Sequence, residues 1–373
     1  MKTILIGPAY PLRGGIANFN EALHLQYQRQ GEDSSIISYS LQYPGILFPG
    51  KTQFATDQPS GTFNIETELS SINPLTWIKV GRKIRKAAPD RLLIHYWMPF
   101  FAPALGTICR IVRKNKTTKI IAICHNVKPH ESKPGDTILA KYFLSKCHGF
   151  VAMSRSTLQD LNLYNSNKIF LPHPIYDTFG TAITKDEARR HLNLDTKGRY
   201  LLFFGMVRKY KGLDLMLEAM TEVSMPEDVK LIVAGEFYDD PKTYTDIIEK
   251  HNLQDRVIIK NEFIASSQVR YYFCASDMVT QTYHTATQSG VSQIAYHFDI
   301  PMLVTNVGGL AEIVPHNKVG YVTSHKTDEI ASCINDYYTN SRESVFIENI
   351  KVEKLRFGWD SFTKGIADLA KRL

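Results

Sequence analysis

Tyr200-Leu201-Leu202-Phe203-Phe204-Gly205-Met206-Val207-Arg208-Lys209-Tyr210-Lys211-Gly212 is the stretch from which the fold is read. Residues 200–204 form an unbroken apolar run, the pattern of a buried strand, and Gly205 ends it. Cations follow at Arg208, Lys209 and Lys211. Residues 212–220 then carry the apolar spacing of an amphipathic helix. A strand thus hands a tight basic loop to a helix N-terminus. Free backbone N–H groups point outward there, and the helix dipole favours an anion. Arg can fork two bonds to phosphate oxygens, and Lys supplies a point charge. A phosphate-binding loop is one reading; a solvated basic turn behind a core strand is the other.

Outward from this stretch the same unit recurs in both directions. Towards the C-terminus, strands are predicted at 230–234, 256–260, 278–282, 302–305 and 319–323, with helices between them. Towards the N-terminus, residues 2–6 read as a strand and 7–15 as a loop holding Gly14 and Gly15. Ile16, Phe19, Leu23 and Tyr27 give residues 16–30 a helical spacing. The loop is not Gly-x-Gly-x-x-Gly, so the dinucleotide fingerprint fails. Gly14-Gly15 either lets a ligand approach the backbone or forms a plain strand-to-helix turn. Further strands are predicted at 34–39, 91–95, 119–124, 149–153 and 168–171. Helices are predicted from Pro74, over 100–113, and from a Ser154 cap through Leu161. Residues 43–61, rich in Pro, Gly and aromatics, read as an exposed loop. Pro172-His173-Pro174 is a stiff crossing. Residues 184–192 are read as a helix, and 359–369 as a last amphipathic one. A βαβαβ order that appears twice, without a short repeat, predicts an α/β chain of two doubly wound, Rossmann-like domains. Their predicted extents are 1–178, with a terminal helix at 358–373, and 182–355. His125 follows the strand at 119–124, and ligands of open α/β sheets sit at carboxyl ends of strands. It is a candidate for chemistry or a structural histidine.

The 373 residues suffice for two domains, and 43% hydrophobic with 22% charged residues is an ordinary globular composition. No run approaches a membrane span, and the N-terminal apolar run is too short for a signal peptide. Cys109, Cys124, Cys147, Cys274 and Cys333 are widely spaced, so reduced thiols in a cytoplasmic protein are expected, and no metal-ligand spacing occurs. Residues 1–180 hold 21 Lys and Arg against 11 Asp and Glu, while the rest holds 23 against 26. The basic half therefore faces something anionic: nucleic acid, a membrane surface or a phosphorylated substrate. Residues 77–86 are both basic and amphipathic; such a helix lies on an anionic bilayer with Trp77 at the interface, or covers a core.

These residues together resemble the retaining nucleotide-sugar glycosyltransferases of family 4, also called group 1, over nearly the whole length and most strongly over 200–325. Gly14-Gly15, His125, Val151-Ala152-Met153-Ser154, Lys211-Gly212 and the helix from Trp359 carry the resemblance, and Thr305-Asn306-Val307-Gly308-Gly309-Leu310-Ala311-Glu312 carries it most specifically. The resemblance implies the GT-B fold, two Rossmann-like domains facing across a cleft, with the terminal helix packed back on the first. It implies a nucleotide-sugar donor held by the second domain and a glycan or lipid-linked acceptor at the first, with no nucleic acid partner, no metal and no cofactor. Surface polysaccharide synthesis at the inner membrane face is the implied setting. Lys211 with Arg208 would hold the diphosphate, His125 would meet the transferred sugar, and Gly14, Gly15, Gly205, Gly308 and Gly309 would line the donor. Two features depart from the family. Met206 stands where it usually has Arg. Its paired glutamates, aligned without gaps from Asp277 to Pro301, fall on Ala286 and Ile294. Gln288, Ser289, Gly290 and Gln293 can bond sugar and ribose hydroxyls in their place. The departures keep two other readings open: a nucleotide-sugar-binding homologue without turnover, and a sugar-nucleotide epimerase.

Overall fold

Runs that are apolar on both sides belong in parallel strands covered by helices on each face. In the computed structural model such runs form two all-parallel sheets, in two compact units. The structure describes residues 1–373 apart from 46, 47, 49, 56–62, 129–133, 165 and 166. The first unit is Met1–Pro174 with Phe357–Leu373, and the second is Ile175–Arg356.

The first sheet contains β1 (Lys2–Ile6), β2 (Asp33–Leu41), β3 (Ile65–Ser70), β4 (Arg91–Tyr96), β5 (Lys119–Cys124), β6 (Gly149–Ala152) and β7 (Lys168–Phe170). Their order is β3-β2-β1-β4-β5-β6-β7. Chain order reverses between β1 and β4, and a crevice opens outside the carboxyl ends of strands at such a switch point. Helices α1 (Gly15–Arg29), α2 (Pro74–Ala87), α3 (Ala102–Val112), α4 (Asp136–Leu144) and α5 (Arg155–Asp160) connect the strands. Side chains alternate across a strand. Thus Ile4, Ile6, Leu92, Ile94, Ile120, Ala122 and Cys124 pack with Val80, Ile84, Leu105 and Phe143 of α2, α3 and α4. The terminal helix Trp359–Arg372 joins the other face beside α1, where Gln26 and Gln30 donate to Asp360 Oδ1 at 2.6 and 3.1 Å.

The second sheet contains β8 (Arg199–Phe204), β9 (Val229–Ala234), β10 (Val257–Lys260), β11 (Met278–Gln281), β12 (Met302–Thr305) and β13 (Gly320–Thr323) in the order β10-β9-β8-β11-β12-β13. Its switch point lies between β8 and β11. Helices α6 (Lys185–His191), α7 (Leu213–Ala219), α8 (Lys242–Lys250), α9 (Ser266–Ala275), α10 (Gly290–His297), α11 (Leu310–Ile313), α12 (Thr327–Thr339) and α13 (Glu343–Glu353) cover it.

Some details differ from the sequence expectation. A 3-10 turn, Pro99–Phe101, precedes α3. Strand β3 and helix α13 were not expected at all. Much of the loop expected over 43–61 lies outside the described residues, but its described end pairs with the first loop: Arg13 N–H donates to Gln53 O at 2.9 Å and Ala55 N–H to Pro11 O at 2.8 Å.

Candidate functional site

Strand β8 ends at Gly205, whose φ of 92° suits glycine. The chain then runs past exposed Met206 into a 3-10 turn, Lys209–Lys211, before α7 begins. The basic residues therefore sit on a turn of their own and not in the first turn of the helix. Gly212 fastens that turn to the neighbouring strand: its φ is 64°, and a Cβ there would overlap the Thr282 carbonyl oxygen. Thr282 Oγ1 donates to Gly212 O at 2.7 Å, His284 N–H donates to Tyr210 O at 2.7 Å, and the His284 ring lies 3.1 Å from both Asp214 oxygens.

The clamp carries Lys211 inward. It is 8% exposed, its Nζ stands 5.3 Å from the Tyr283 ring centroid, and a Cβ on Gly205 would sit 3.3 Å from that Nζ. Burial, with Arg208 nearby, pulls its pKa below the usual lysine value, opposed by Tyr210. Arg208 stacks over Tyr238 at 5.4 Å, and its Nε is buried without a hydrogen-bond partner among the described residues. A buried cation lacking an anion carries a desolvation cost that a bound anion would offset.

The other residues expected around the donor gather at the same edge. Ser289 caps α10 and its hydroxyl lies 3.3 Å from the Tyr283 hydroxyl; Gly290 opens that helix against Tyr176; Gln288 precedes both. Gly308 has φ 51°, and a Cβ there would overlap Ala286 O, while Gly309 N–H donates to Thr287 O at 3.1 Å. The loops after β11 and β12 are thereby closed on one another. Gln293 is fully buried, with neither carboxamide atom hydrogen-bonded among the described residues. The structure thus brings Gly205, Lys211, Ser289, Gly308 and Gly309 to the carboxyl edge at the switch point. Tyr283 and Tyr238, absent from the sequence-derived set, supply the aromatic faces for the two cations.

In the first unit, Gly14 (φ 118°) caps α1 and Gly15 opens it, beyond the carboxyl end of β1. His125 extends β5, its N–H donating to Tyr96 O at 2.8 Å, and the residue is 6% exposed. Residues 95, 123 and 125 share the α1 face, because His95 is in register with Ile123. The His95 Nδ1 and His125 Nε2 atoms lie 2.9 Å apart. Phe19 of α1 sets its edge against His95, His125 and His173. Burial, then the neighbouring His95 and His173, pushes His125 well below the ordinary histidine pKa; burial takes His95 to about 3 and His173 to about 4. His95 was legible only as the end of a strand; its parallel register with β5 is what gives it a role.

Trp77 on α2 follows the core-covering alternative. Its Nε1–H donates to Ser70 O at 2.6 Å and its ring packs on the core. Leu75 and Ile78, with Ile72 before the helix, are the exposed apolar groups. Among the described residues no group of three His, Cys, Asp or Glu is set to hold a metal, and no helix is long and apolar enough to cross a membrane.

Residues 184–352, within the second unit, match the family described as glycosyl transferases group 1. The second unit thus carries a match to the group 1 glycosyltransferases. The chain is 24% identical over 305 residues to the D-inositol 3-phosphate glycosyltransferase of Xylanimonas cellulosilytica, covering 75% of this chain and 71% of that one. It is 21% identical to a putative teichuronic acid biosynthesis glycosyltransferase of Bacillus subtilis, over 90% and 89% of the two chains. Its fold is that of GT-B enzymes. Anabaena HepE, solved with UDP and glucose, superposes with a TM-score of 0.78 at 15% identity over all of both chains. Sucrose-phosphate synthase from Thermosynechococcus elongatus gives 0.76 at 15% identity over 100% of this chain and 99% of that one.

Proposed function

We propose that this glycosyltransferase moves a hexose from a nucleotide-sugar donor, with retention of configuration and without a divalent metal, to a glycan or lipid-linked acceptor of a surface polysaccharide. The carrying observation is Lys211, a buried cation with no carboxylate partner among the described residues, beside Arg208 at the switch point of the second sheet. As the bond from sugar to nucleotide breaks, negative charge grows on the terminal phosphate, and fixed cations stabilise it in the transition state. In this reading those cations take the place of a metal. The carboxyl edge of the first unit serves acceptor and transferred sugar, with His125 on the sugar. HepE, solved with UDP and glucose, supports a nucleotide-sugar donor, and the teichuronic acid relative supports the polysaccharide setting.

Calorimetry with nucleoside diphosphates tests the site. Lys211→Ala and Arg208→Ala should each weaken binding by about 1.5–3 kcal/mol, as expected for a charge-assisted bond, without loss of fold. Unchanged affinity in both would place the phosphate elsewhere. Turnover should survive a chelator; loss that magnesium or manganese restores would refute metal independence. Ala286 and Ile294, in place of the family's glutamates, favour a second reading, donor binding without transfer. Donor binding with neither hydrolysis nor transfer in acceptor extracts would select it.

A further inference from the structure

We propose that the carboxyl edge of the first sheet holds the hydrocarbon chain of a lipid-linked acceptor, along an apolar strip that crosses the ends of β3, β2, β1 and β4. The proposal rests on the assignment of the acceptor to the first unit made above, and it selects the lipid-linked acceptor over a free glycan.

Parallel strands end at one edge of their sheet, so the segments that leave neighbouring strands lie side by side. The strand order sets those of β3, β2, β1 and β4 next to one another in that sequence. After β3 come Ile72 and, in the first turn of α2, Leu75, both exposed. After β2 come half-buried Tyr43 and exposed Phe54. After β1, Leu12 is bridged to Phe54 and packs in the core. After β4 come Trp97 and Phe100, half-buried against the same core as Tyr43. These segments are also joined. Ser71 N–H donates to Leu41 O at 2.9 Å, which ties the end of β3 to the end of β2. Trp97 Nε1–H donates to the Tyr43 hydroxyl at 2.9 Å, and Phe100 stacks on Tyr43 with ring centroids 6.1 Å apart. Three strand spacings give the strip a length of roughly 14 Å.

What the strip presents is ring face and hydrocarbon. The Trp97 N–H is engaged by Tyr43, the Tyr43 hydroxyl donates to Met98 Sδ at 3.5 Å, and the Trp77 N–H is engaged by Ser70 O. Sugar hydroxyls laid along these side chains would lose water and gain few partners. A hydrocarbon chain gains from every methylene taken out of water. At its β3 end the strip runs into the outward face of α2, where Ile78 is exposed and Arg82, Arg85 and Lys86 follow. Apolar tips followed by cations suit an anionic bilayer, the place from which such a chain would come.

Calorimetry without vesicles, using dodecyl, octyl and butyl phosphate below their micelle concentrations, tests the strip. Affinity should rise about tenfold or more from butyl to octyl phosphate, and again from octyl to dodecyl phosphate. Tryptophan fluorescence should change on binding dodecyl phosphate in the parent and not in a Trp97→Phe variant. Phe54→Ser and Leu75→Ser replace exposed side chains, so the fold is kept; each should cut the ratio of dodecyl to butyl affinity about fivefold. Arg82→Ala with Arg85→Ala should leave that ratio unchanged. Affinity independent of chain length, or folded Phe54 and Leu75 variants with the parental ratio, would overturn the proposal. So would a Trp97 response to methyl glucoside and none to dodecyl phosphate, which would give the edge to a sugar ring. Chain-length dependence kept in a protein that transfers sugar to no acceptor would leave the strip in place and remove the transfer reading instead.

Discussion

Lys211 is buried and Glu21 half-buried, and desolvation drives the two in opposite directions. The lysine falls below its ordinary pKa, while the Glu21 carboxyl rises to about 7, opposed by the Tyr10 N–H that donates to its Oε1 at 2.6 Å. Between the unfolded value of 4.5 and about 7, the folded protein holds a proton on Glu21 that the unfolded chain has released. The stabilisation is complete below pH 4.5 and lost as pH rises through 7. Glu21→Gln keeps the acceptor for Tyr10 and cannot ionise. Thermal melts should show it more stable than the parent at pH 8, by about 1–3 kcal/mol, and equal near pH 4.5. A variant no more stable at pH 8 would mean that the carboxylate is solvated there. At this scale the sequence displays identities without environments. Arg208 and Lys211 were visible because charges after an apolar run break a pattern. Glu21 and His95 interrupt nothing in a helix or strand reading; the first loop beside Glu21, and α1 and β5 beside His95, give them their chemistry.

Elements were more legible, and the exceptions have physical causes. Strands such as residues 119–124 are apolar on both faces and could be read directly, whereas β3 is an edge strand bonded only to β2, so Glu66 and Glu68 can sit on it. Its Ile-Glu-Thr-Glu sequence lacks the apolar run. The basic turn was legible in position but not in attachment, because the close approach of Gly212 to Thr282 joins segments 70 residues apart. That attachment predicts a contrast between two glycines. Alanine at Gly212 must push the turn off β11, in addition to the roughly 1–2 kcal/mol for a left-handed backbone. It should weaken nucleoside diphosphate binding and lower the melting temperature. Alanine at Gly31, where φ is 72°, meets open space and costs only backbone strain, of order 1–3 kcal/mol, leaving diphosphate binding unchanged. Equal diphosphate affinity in both variants would show that the turn does not depend on the clamp.

For the whole molecule, the charge imbalance becomes informative once it has a location. The excess of 21 Lys and Arg over 11 Asp and Glu lies in residues 1–180, and α2 carries five of those cations and no acid. Glu66 and Glu68 of β3 pair with Lys83, and Glu68 lies 3.9 Å from Lys79, so part of the excess is neutralised. Among the described residues no acid pairs with Arg82, Arg85 or Lys86. At 3.6 residues per turn, Leu75, Ile78, Arg82, Arg85 and Lys86 fall on one outward arc, opposite Val80 and Ile84 in the core. Leu75 is 74% exposed and Ile72 51%. An outward face with apolar tips in its first turn and unpaired cations beyond fits the surface of an anionic bilayer better than nucleic acid, which offers nothing to the apolar tips. The full chain should therefore bind vesicles containing phosphatidylglycerol and not those of phosphatidylcholine alone. Binding should weaken as salt rises, since the attraction is screened over about 8 Å at physiological ionic strength. Each basic residue near the surface contributes about 1 kcal/mol, so replacing Arg82 and Arg85 together by Ala should weaken vesicle binding roughly thirtyfold. Leu75→Ser with Ile78→Ser should weaken it while leaving the salt dependence in place. On the proposed assignment of the diphosphate to the second unit, its binding should be unaffected in both variants. Equal binding to neutral and anionic vesicles, or none to either, would leave α2 as a helix that covers the core of the first unit and nothing more.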